Sequence, residues 1–285
     1  MVDFTPQELE RYRRHIVLRD FGGPGQAKLK QSAVLIVGAG GLGSPAALYL
    51  AAAGVGRIGI VDDDVVSLSN LQRQILHTTA RVGTPKVESA RDTLAAINPH
   101  VEVEAINARL TPDNAPEIIA RHDLVVDGSD NFATRFLVSD ACYFARKPLI
   151  WGAIGQFTGQ IATFKPYERD ENGVPLPGYR DFLPAPPPPG SVPSCAEAGV
   201  IGALPGVIGA MQAMEAIKEL TGMGRSLAGW LILYEALQAS FMKIRLQWRP
   251  DNPLTGENPT IRSLSDADYD MNASCAAEAA RQTEE

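Results

Sequence analysis

Gly38, Gly40 and Gly43 fall in the spacing Gly-x-Gly-x-x-Gly, and Asp62 stands nineteen residues beyond the last of them. Those residue types suit the binding of a nucleotide. Glycine lets the backbone turn tightly and come close to a phosphate, and a helix that begins there offers unbonded N–H groups and a positive dipole end. A carboxylate at the end of the next strand meets ribose hydroxyls. The flanking residues supply the elements that must position these groups. Ala33 to Val37 is a short apolar run that reads as a buried strand, Ser44 to Ala53 reads as a helix, and Arg57 to Val61 reads as a second strand ending at Asp62. The alternative is a glycine-rich turn that serves packing alone. Strand, helix and acid in register favour the nucleotide.

The rest of the chain continues the alternation. Thr5-Pro6-Gln7-Glu8 reads as a capping box with proline at the first helical position, opening a helix from Pro6 to about Ile16. Gly22, Gly23 and Gly25 mark a loop before the first strand, and Ser69 to Arg73 a short helical turn. Thr84-Pro85 reads as an N-cap and first helical residue of a helix reaching Ile97. Strands are expected at 101–106, 123–127, 148–152 and 159–164, with a helix over 132–146. This pattern predicts an α/β fold: a Rossmann-like, mostly parallel sheet with helices on both faces, its nucleotide-binding half spanning about 30–152. Residues 165–193 carry no periodicity, and Pro184 with Pro186 to Pro189 excludes regular structure, so a long crossover loop is expected there. Gly206 to Leu220 reads as a buried helix with Val207, Ile208, Met211, Met214 and Ile217 on one stripe. Trp230 to Tyr234 and Phe241 to Trp248 read as late antiparallel strands that continue the sheet.

Bulk composition narrows the class. The chain has 285 residues, 45% hydrophobic and 21% charged, with a net charge of −7. Residues 250–285 hold eight acids against Arg262 and Arg281, so the excess charge belongs to a solvated, mobile tail and the folded unit is expected over 1–249. Nothing suggests a nucleic-acid surface, and no apolar run reaches the length of a membrane span. Cys142, Cys195 and Cys275 form no CxxC pair, and with no apolar signal core between Met1 and Arg14 a cytoplasmic location is expected.

Several separated motifs are more specific than the glycine loop. They are Arg11-Tyr12-x-Arg14, Gly38-Ala39-Gly40-Gly41-Leu42-Gly43, Ser69-Asn70-Leu71-x-Arg73-Gln74, Gly83-x-Pro85-Lys86, Asp127-x-x-Asp130-Asn131-x-x-x-Arg135 and Pro193-Ser194-Cys195-Ala196-Glu197-Ala198-Gly199-Val200. Together, over roughly residues 6–262, they resemble the ubiquitin-activating-enzyme-like adenylyltransferases of the MoeB/ThiF/HesA type. The resemblance implies ATP- and Mg²⁺-dependent adenylation of the C-terminal glycine of a ubiquitin-like sulfur-carrier protein of the MoaD or ThiS kind, in molybdopterin or thiamine biosynthesis, by a homodimer. It further implies nucleotide contacts from Gly41, Asp62, the segment Ser69, Asn70, Leu71, Gln72 and Arg73, then Lys86, Asp130 and Asn131.

The chemistry of those residues agrees with that implication. A carboxylate attacking the α-phosphate of ATP is an anion approaching an anion, so the site needs cations and firm positioning more than a protein nucleophile. Arg73 and Lys86 supply cations; Lys86 stands in the first turn of a helix, where a cation opposes the dipole, a placement that favours a functional role. Asp130, at a strand end, suits Mg²⁺ held against phosphates. Its structural alternative is a cap for the helix beginning near Asn131. Arg73 has the alternative of a structural ion pair. Arg14 read alone is a surface arginine; in the resembled family the matching residue reaches the partner's site. Asp127 and Arg135 read as structural or carrier-contact residues.

The sequence also departs from the family. Many members hold a structural zinc with two CxxC pairs, and the matching positions here are Gly178-Tyr179-Arg180-Asp181 and Asn252-Pro253-Leu254-Thr255. No zinc is expected, because tetrahedral zinc needs four good ligands. Something else must hold the loop to the C-terminal segment, or the loop is mobile. Cys195 matches a cysteine that forms a thioester or persulfide in several relatives; as a lone cysteine it equally reads as a small buried hydrophobe. A sulfurtransferase is a further candidate partner. The rivals are an NAD-dependent dehydrogenase, which the glycine loop and Asp62 fit equally, and a non-catalytic module that binds ubiquitin-like proteins.

Overall fold

The computed structural model describes residues 3–188, 198–267 and 269. Among them, eight strands form one sheet: β1 (Ala33–Val37), β2 (Arg57–Val61), β3 (Glu102–Ile106), β4 (Leu124–Asp127), β5 (Leu149–Ile154), β6 (Thr158–Phe164), β7 (Trp230–Glu235) and β8 (Ser240–Arg245). Their spatial order is β3-β2-β1-β4-β5-β6-β7-β8. Pairing is parallel from β3 to β5 and antiparallel from β5 to β8. All five residues of β1 are buried, as a strand covered on both faces requires.

Nine α-helices accompany the described strands: α1 (Pro6–Arg11), α2 (Arg13–Ile16), α3 (Gly22–Gln31), α4 (Gly43–Ala53), α5 (Lys86–Ile97), α6 (Ala115–Ala120), α7 (Phe132–Ala145), α8 (Tyr179–Phe182) and α9 (Ala203–Thr221). Side chains alternate across the sheet and build two cores. Val34, Ile36, Ile58, Ile60 and Val126 meet α4, α5 and α9 on one face. Leu35, Val37, Val125 and Trp151 meet α6 and α7 on the other. Successive strands β1, β2 and β3 run outward in one direction, and β4 then returns to the far side of β1. The crevice opened by that reversal, outside the carboxyl ends of β1 and β4, is where ligands bind in such sheets.

Several local expectations change. The N-terminal helix is broken at Tyr12, which is buried; its hydroxyl accepts from Asn98 Nδ2 at 2.8 Å. The capping box itself is present, with Thr5 accepting from Glu8 and returning its own N–H to the Glu8 carboxylate. Gly22, Gly23 and Gly25 open α3 rather than a loop, because buried Leu29 anchors that segment to the core. Thr84 does not cap α5. Pro85 is the N-cap, without a side-chain bond, and the helix begins at Lys86. The crossover loop contains α8. Met214 leaves the expected stripe on α9 and is 47% exposed. The last strand ends at Arg245 rather than Trp248. Beyond residue 249 the chain does not become a free tail at once: Leu254, Ile261 and Leu264 are buried. Cys195 and the motif from Pro193 to Glu197 lie outside the described residues, as do 271–285.

Candidate active site

The end of β1 delivers the glycine loop into the crevice. Gly38 sits at φ +89°, and a Cβ on Gly43 would lie 1.8 Å from the Gly38 carbonyl oxygen, so both positions require glycine. Gly43 therefore serves the close turn and lies outside the cleft lining, whereas Gly38, Gly40 and Gly41 line it. The N–H groups of Gly40 and Gly41 have no partner among the described residues.

The Ala39 peptide groups are held from two sides. The Ala39 N–H donates to Asp62 Oδ2 at 2.8 Å, and its carbonyl lies 2.8 Å from His77 Nε2. A carbonyl only accepts, so Nε2 carries the proton. Nδ1, 3.0 Å from Ser89 Oγ, then accepts from the hydroxyl. Burial lowers the His77 pKa, opposed by its bond to the Ala39 carbonyl and by Asp62, while nearby Lys86 adds to the lowering. The imidazole is a neutral strut beneath the loop.

Asp62 follows β2, as its spacing implied. Its second oxygen accepts from the Asp64 N–H at 2.8 Å. Burial raises its pKa, opposed by Lys86 and by the two backbone donors. A carboxylate has more acceptor sites than those two donors fill, so capacity for a ribose hydroxyl remains.

Lys86 is brought to the cleft by a short backbone ladder. The Val66 N–H donates to Thr84 O and the Lys86 N–H to Asp64 O, both at 2.9 Å. The Lys86 ammonium is buried, with Nζ 2.7 Å from Asp64 Oδ2, while the Asp64 side chain is 70% exposed. Arg73 lines the same cleft; among the described residues its side chain makes one hydrogen bond, a 3.5 Å contact from Nη1 to the Ser69 carbonyl. Among the described residues no carboxylate lies within salt-bridge distance of Arg73. Ser69, Asn70, Leu71 and Gln72 do not line the cleft in this chain. The Asn70 carbonyl accepts from the N–H groups of Arg73 and Gln74 at 3.1 and 3.0 Å and so sets their direction.

Across the cleft, β4 ends in the loop carrying Asp130. Asp130 is exposed and lines the cleft, and it does not cap α7. Asn131 is the cap, its Oδ1 accepting from the Thr134 N–H at 2.9 Å. Arg135 fixes this loop by donating from Nε and Nη2 to the Ser129 carbonyl at 3.3 and 3.1 Å. Asp127 is buried below, with Oδ1 accepting from the Ser129 N–H at 2.9 Å. Burial raises its pKa, opposed by Arg135.

The cleft has a volume of about 470 Å³. It gathers Gly40, Gly41, Asp62, Arg73, Lys86 and Asp130 from segments far apart in sequence. It also contains Gln74, Arg109 and Arg135, to which sequence reasoning gave no nucleotide role. The signal for Arg109 was topological: it follows β3, whose end lies beside β2, with the Asp62 N–H donating to the Ile106 carbonyl at 3.2 Å. Arg14 is exposed on α2 and does not line the cleft of its own chain.

The first of the positions matching the zinc pairs is tied to the segment just before the second. Asp181 Oδ2 accepts from the Gly178 N–H at 2.7 Å, and its Oδ1 from the Arg249 N–H at 2.8 Å. Asn252 Oδ1 caps the turn that follows, accepting from Leu254 and Thr255 at 2.8 and 3.1 Å. Arg180 makes a paired contact with buried Asp140 at 2.8 and 2.7 Å, and the Tyr269 hydroxyl donates to the same carboxylate at 2.8 Å. These two positions do not fit zinc: Asp181 is the one His, Cys, Asp or Glu among their eight residues, and tetrahedral zinc needs four good ligands.

Comparison with known proteins gives a consistent answer. A profile of the ThiF family matches residues 12–254. The sulfur carrier protein adenylyltransferase of Thermus thermophilus is 53% identical over 263 residues, covering 92% of this chain and 96% of that protein. A Mycobacterium tuberculosis protein named probable adenylyltransferase/sulfurtransferase MoeZ is 50% identical over 247 residues, covering 87% of this chain and 62% of its own length. The solved structure of E. coli MccB with ATP aligns at a TM-score of 0.71 and 17% identity, over 90% of this chain and 83% of that one, a likeness of fold.

Proposed function

Because the chain belongs to the ThiF family, we propose that it uses ATP to adenylate the C-terminal glycine of a ubiquitin-like sulfur-carrier protein. The observation that carries this reading is the cleft itself: two glycine N–H groups without a partner among the described residues share it with cations from three other segments, Arg73, Lys86 and Arg109, and with the Asp130 carboxylate. Hydride transfer needs no such set, which weighs against a nicotinamide enzyme. A non-catalytic binding module has no use for it either.

In this reading Gly40 and Gly41 donate to phosphate oxygens and Asp62 accepts from the ribose. Lys86 and Arg73 offset the repulsion between the carrier's carboxylate and the triphosphate. The carboxylate oxygen bonds to the α-phosphorus as the bond from that phosphorus to the bridging oxygen of the β-phosphate breaks. The products are the acyl-adenylate and pyrophosphate. Asp130 offers a hard oxygen ligand for Mg²⁺, which when bound neutralises charge on the phosphates.

Arg14 acts in this reading from a second copy of the chain. Its exposure outside its own cleft supports that assignment, as do the neighbouring exposed apolar residues Val17 (69%) and Leu18 (52%), which suit an interface. Cys195 has no part in adenylation, since the attacking group is the carrier's own carboxylate; its place is a later sulfur-transfer step with a sulfurtransferase partner. The activated carrier would serve molybdopterin or thiamine formation.

The test is ATP–pyrophosphate exchange with MoaD- and ThiS-type carriers. Exchange should depend on the carrier, with no nicotinamide turnover. Tight NAD binding without ATP binding would sink the proposal.

A further inference from the structure

Gln74 carries a buried amide that no described residue satisfies. The residue is 5% exposed, yet it lines the nucleotide cleft beside Gly40, Gly41 and Arg73. Its Oε1 is enclosed and has no hydrogen-bond partner. Its Nε2 makes no hydrogen bond to any described residue. A Cβ built on Gly40 would lie 3.6 Å from that nitrogen, so the amide abuts the glycine loop where its N–H groups are free.

The position is not loosely held. The Gln74 N–H donates to the Asn70 carbonyl at 3.0 Å, and the Gln74 carbonyl accepts from the His77 N–H at 3.1 Å. Both backbone groups are fixed by the segment that also sets Arg73 and the His77 strut. The firmly placed, enclosed Oε1 without a partner is unfavourable, and methionine or leucine would fill the same space without that cost. The Nε2 side of the amide lies beside Gly40 at the cleft, and its N–H groups, unpaired among the described residues, call for an acceptor.

The surroundings define that ligand. Gly40, Gly41, Arg73 and Lys86 all present donors or positive charge, which selects an anionic oxygen. A primary amide adds two N–H donors to such a cluster without adding charge. We infer that Gln74 is a further nucleotide-binding residue, whose amide donates to the phosphate oxygen held over Gly40 and Gly41. This rests on the adenylation reading above.

The experiment compares wild type, Gln74→Met and Gln74→Glu by three measurements: calorimetry with a non-hydrolysable ATP analogue, carrier-dependent pyrophosphate exchange, and thermal unfolding without ligand. Gln74→Met should melt about 3 °C higher than wild type, because an unsatisfied amide is gone. It should also lose about a hundredfold in exchange, the usual effect of deleting one donor to developing charge. Gln74→Glu keeps the shape but sets a carboxylate against the phosphate, and should bind the analogue more weakly than Gln74→Met. Equal analogue affinity in wild type and Gln74→Met, per folded molecule, overturns the inference. So does a Gln74→Met protein that is destabilised but binds normally, which is the signature of a packing role. A wild type that binds the analogue but gives no exchange with any carrier defeats the adenylation reading alone, and calorimetry still judges Gln74. A wild type that binds no ATP analogue overturns both.

Discussion

Replacing Lys86 by methionine separates catalysis from folding. The Lys86 side chain is 6% exposed, and its ion-pair partner Asp64 is 70% exposed. The exposed carboxylate keeps most of its hydration, so the pair contributes roughly 0.5 kcal/mol to stability. Burying the ammonium has a cost that methionine does not carry, and methionine keeps most of the volume. The two effects oppose each other, so unfolding free energy should change by about 1 kcal/mol or less, a shift in Tm of at most about 4 °C for a chain of this size. The loss in the reaction is much larger. A preorganised donor to charge that develops at the α-phosphate contributes ~3 kcal/mol, or about a hundredfold in kcat. Carrier-dependent exchange and differential scanning calorimetry on the same preparation measure both. Exchange within about threefold of wild type would refute the role of Lys86 in the reaction. A loss of activity that merely tracks a loss of folded protein would refute the separation.

Other outcomes follow from the same geometry. His77→Leu removes the strut under Ala39 and should weaken ATP binding about tenfold, an effect of ~1.4 kcal/mol typical of one lost hydrogen bond. His77→Gln, which can still donate to Ala39, should recover part of it, and equal affinities for the two variants would argue against the strut. Burial holds the Asp127 pKa above its ordinary 3.8, so between those values the folded state keeps a proton that the unfolded chain has released. Asp127 therefore costs stability as pH rises through that interval, and Asp127→Asn should exceed wild type in Tm at pH 7, with the gap closing on acidification; a gap that widens in acid would contradict the sign. Mixing Arg14→Ala with Lys86→Ala, each inactive alone, should restore part of the activity once subunit exchange is verified, because one hybrid site keeps both groups. No recovery in exchanged dimers would place Arg14 in its own chain's site. Elemental analysis should find no stoichiometric zinc, and chelators should leave Tm unchanged; one zinc per chain would show ligands other than the two lost pairs.

The sequence by itself determined the elements and the chemical class of the site. Apolar runs such as Ala33–Val37, the glycine spacing and the acid after β2 are local patterns, and local patterns are written in consecutive residues. The resemblance carried by scattered motifs extended this to Arg73, Lys86 and Asp130, all of which line one cleft. Local patterns misled where distant packing decided the outcome. Three glycines looked like a loop, but buried Leu29 makes the segment a helix. The tail looked free from residue 250, but Leu254, Ile261 and Leu264 are buried.

What only the tertiary structure decided is which groups face one another. The union of Ala39 with Asp62 and His77 joins three segments that no spacing relates. Arg109 reaches the cleft because β3 ends beside β2, a matter of strand order. Asn131 rather than Asp130 caps α7, a distinction of backbone geometry that leaves the Asp130 carboxylate without a partner among the described residues. The Asp181 carboxylate ties the crossover loop to the Arg249 backbone, 68 residues away in sequence. Hydrogen bonds and burial depend on distances between atoms remote in sequence, and the chain records those distances only once it is folded.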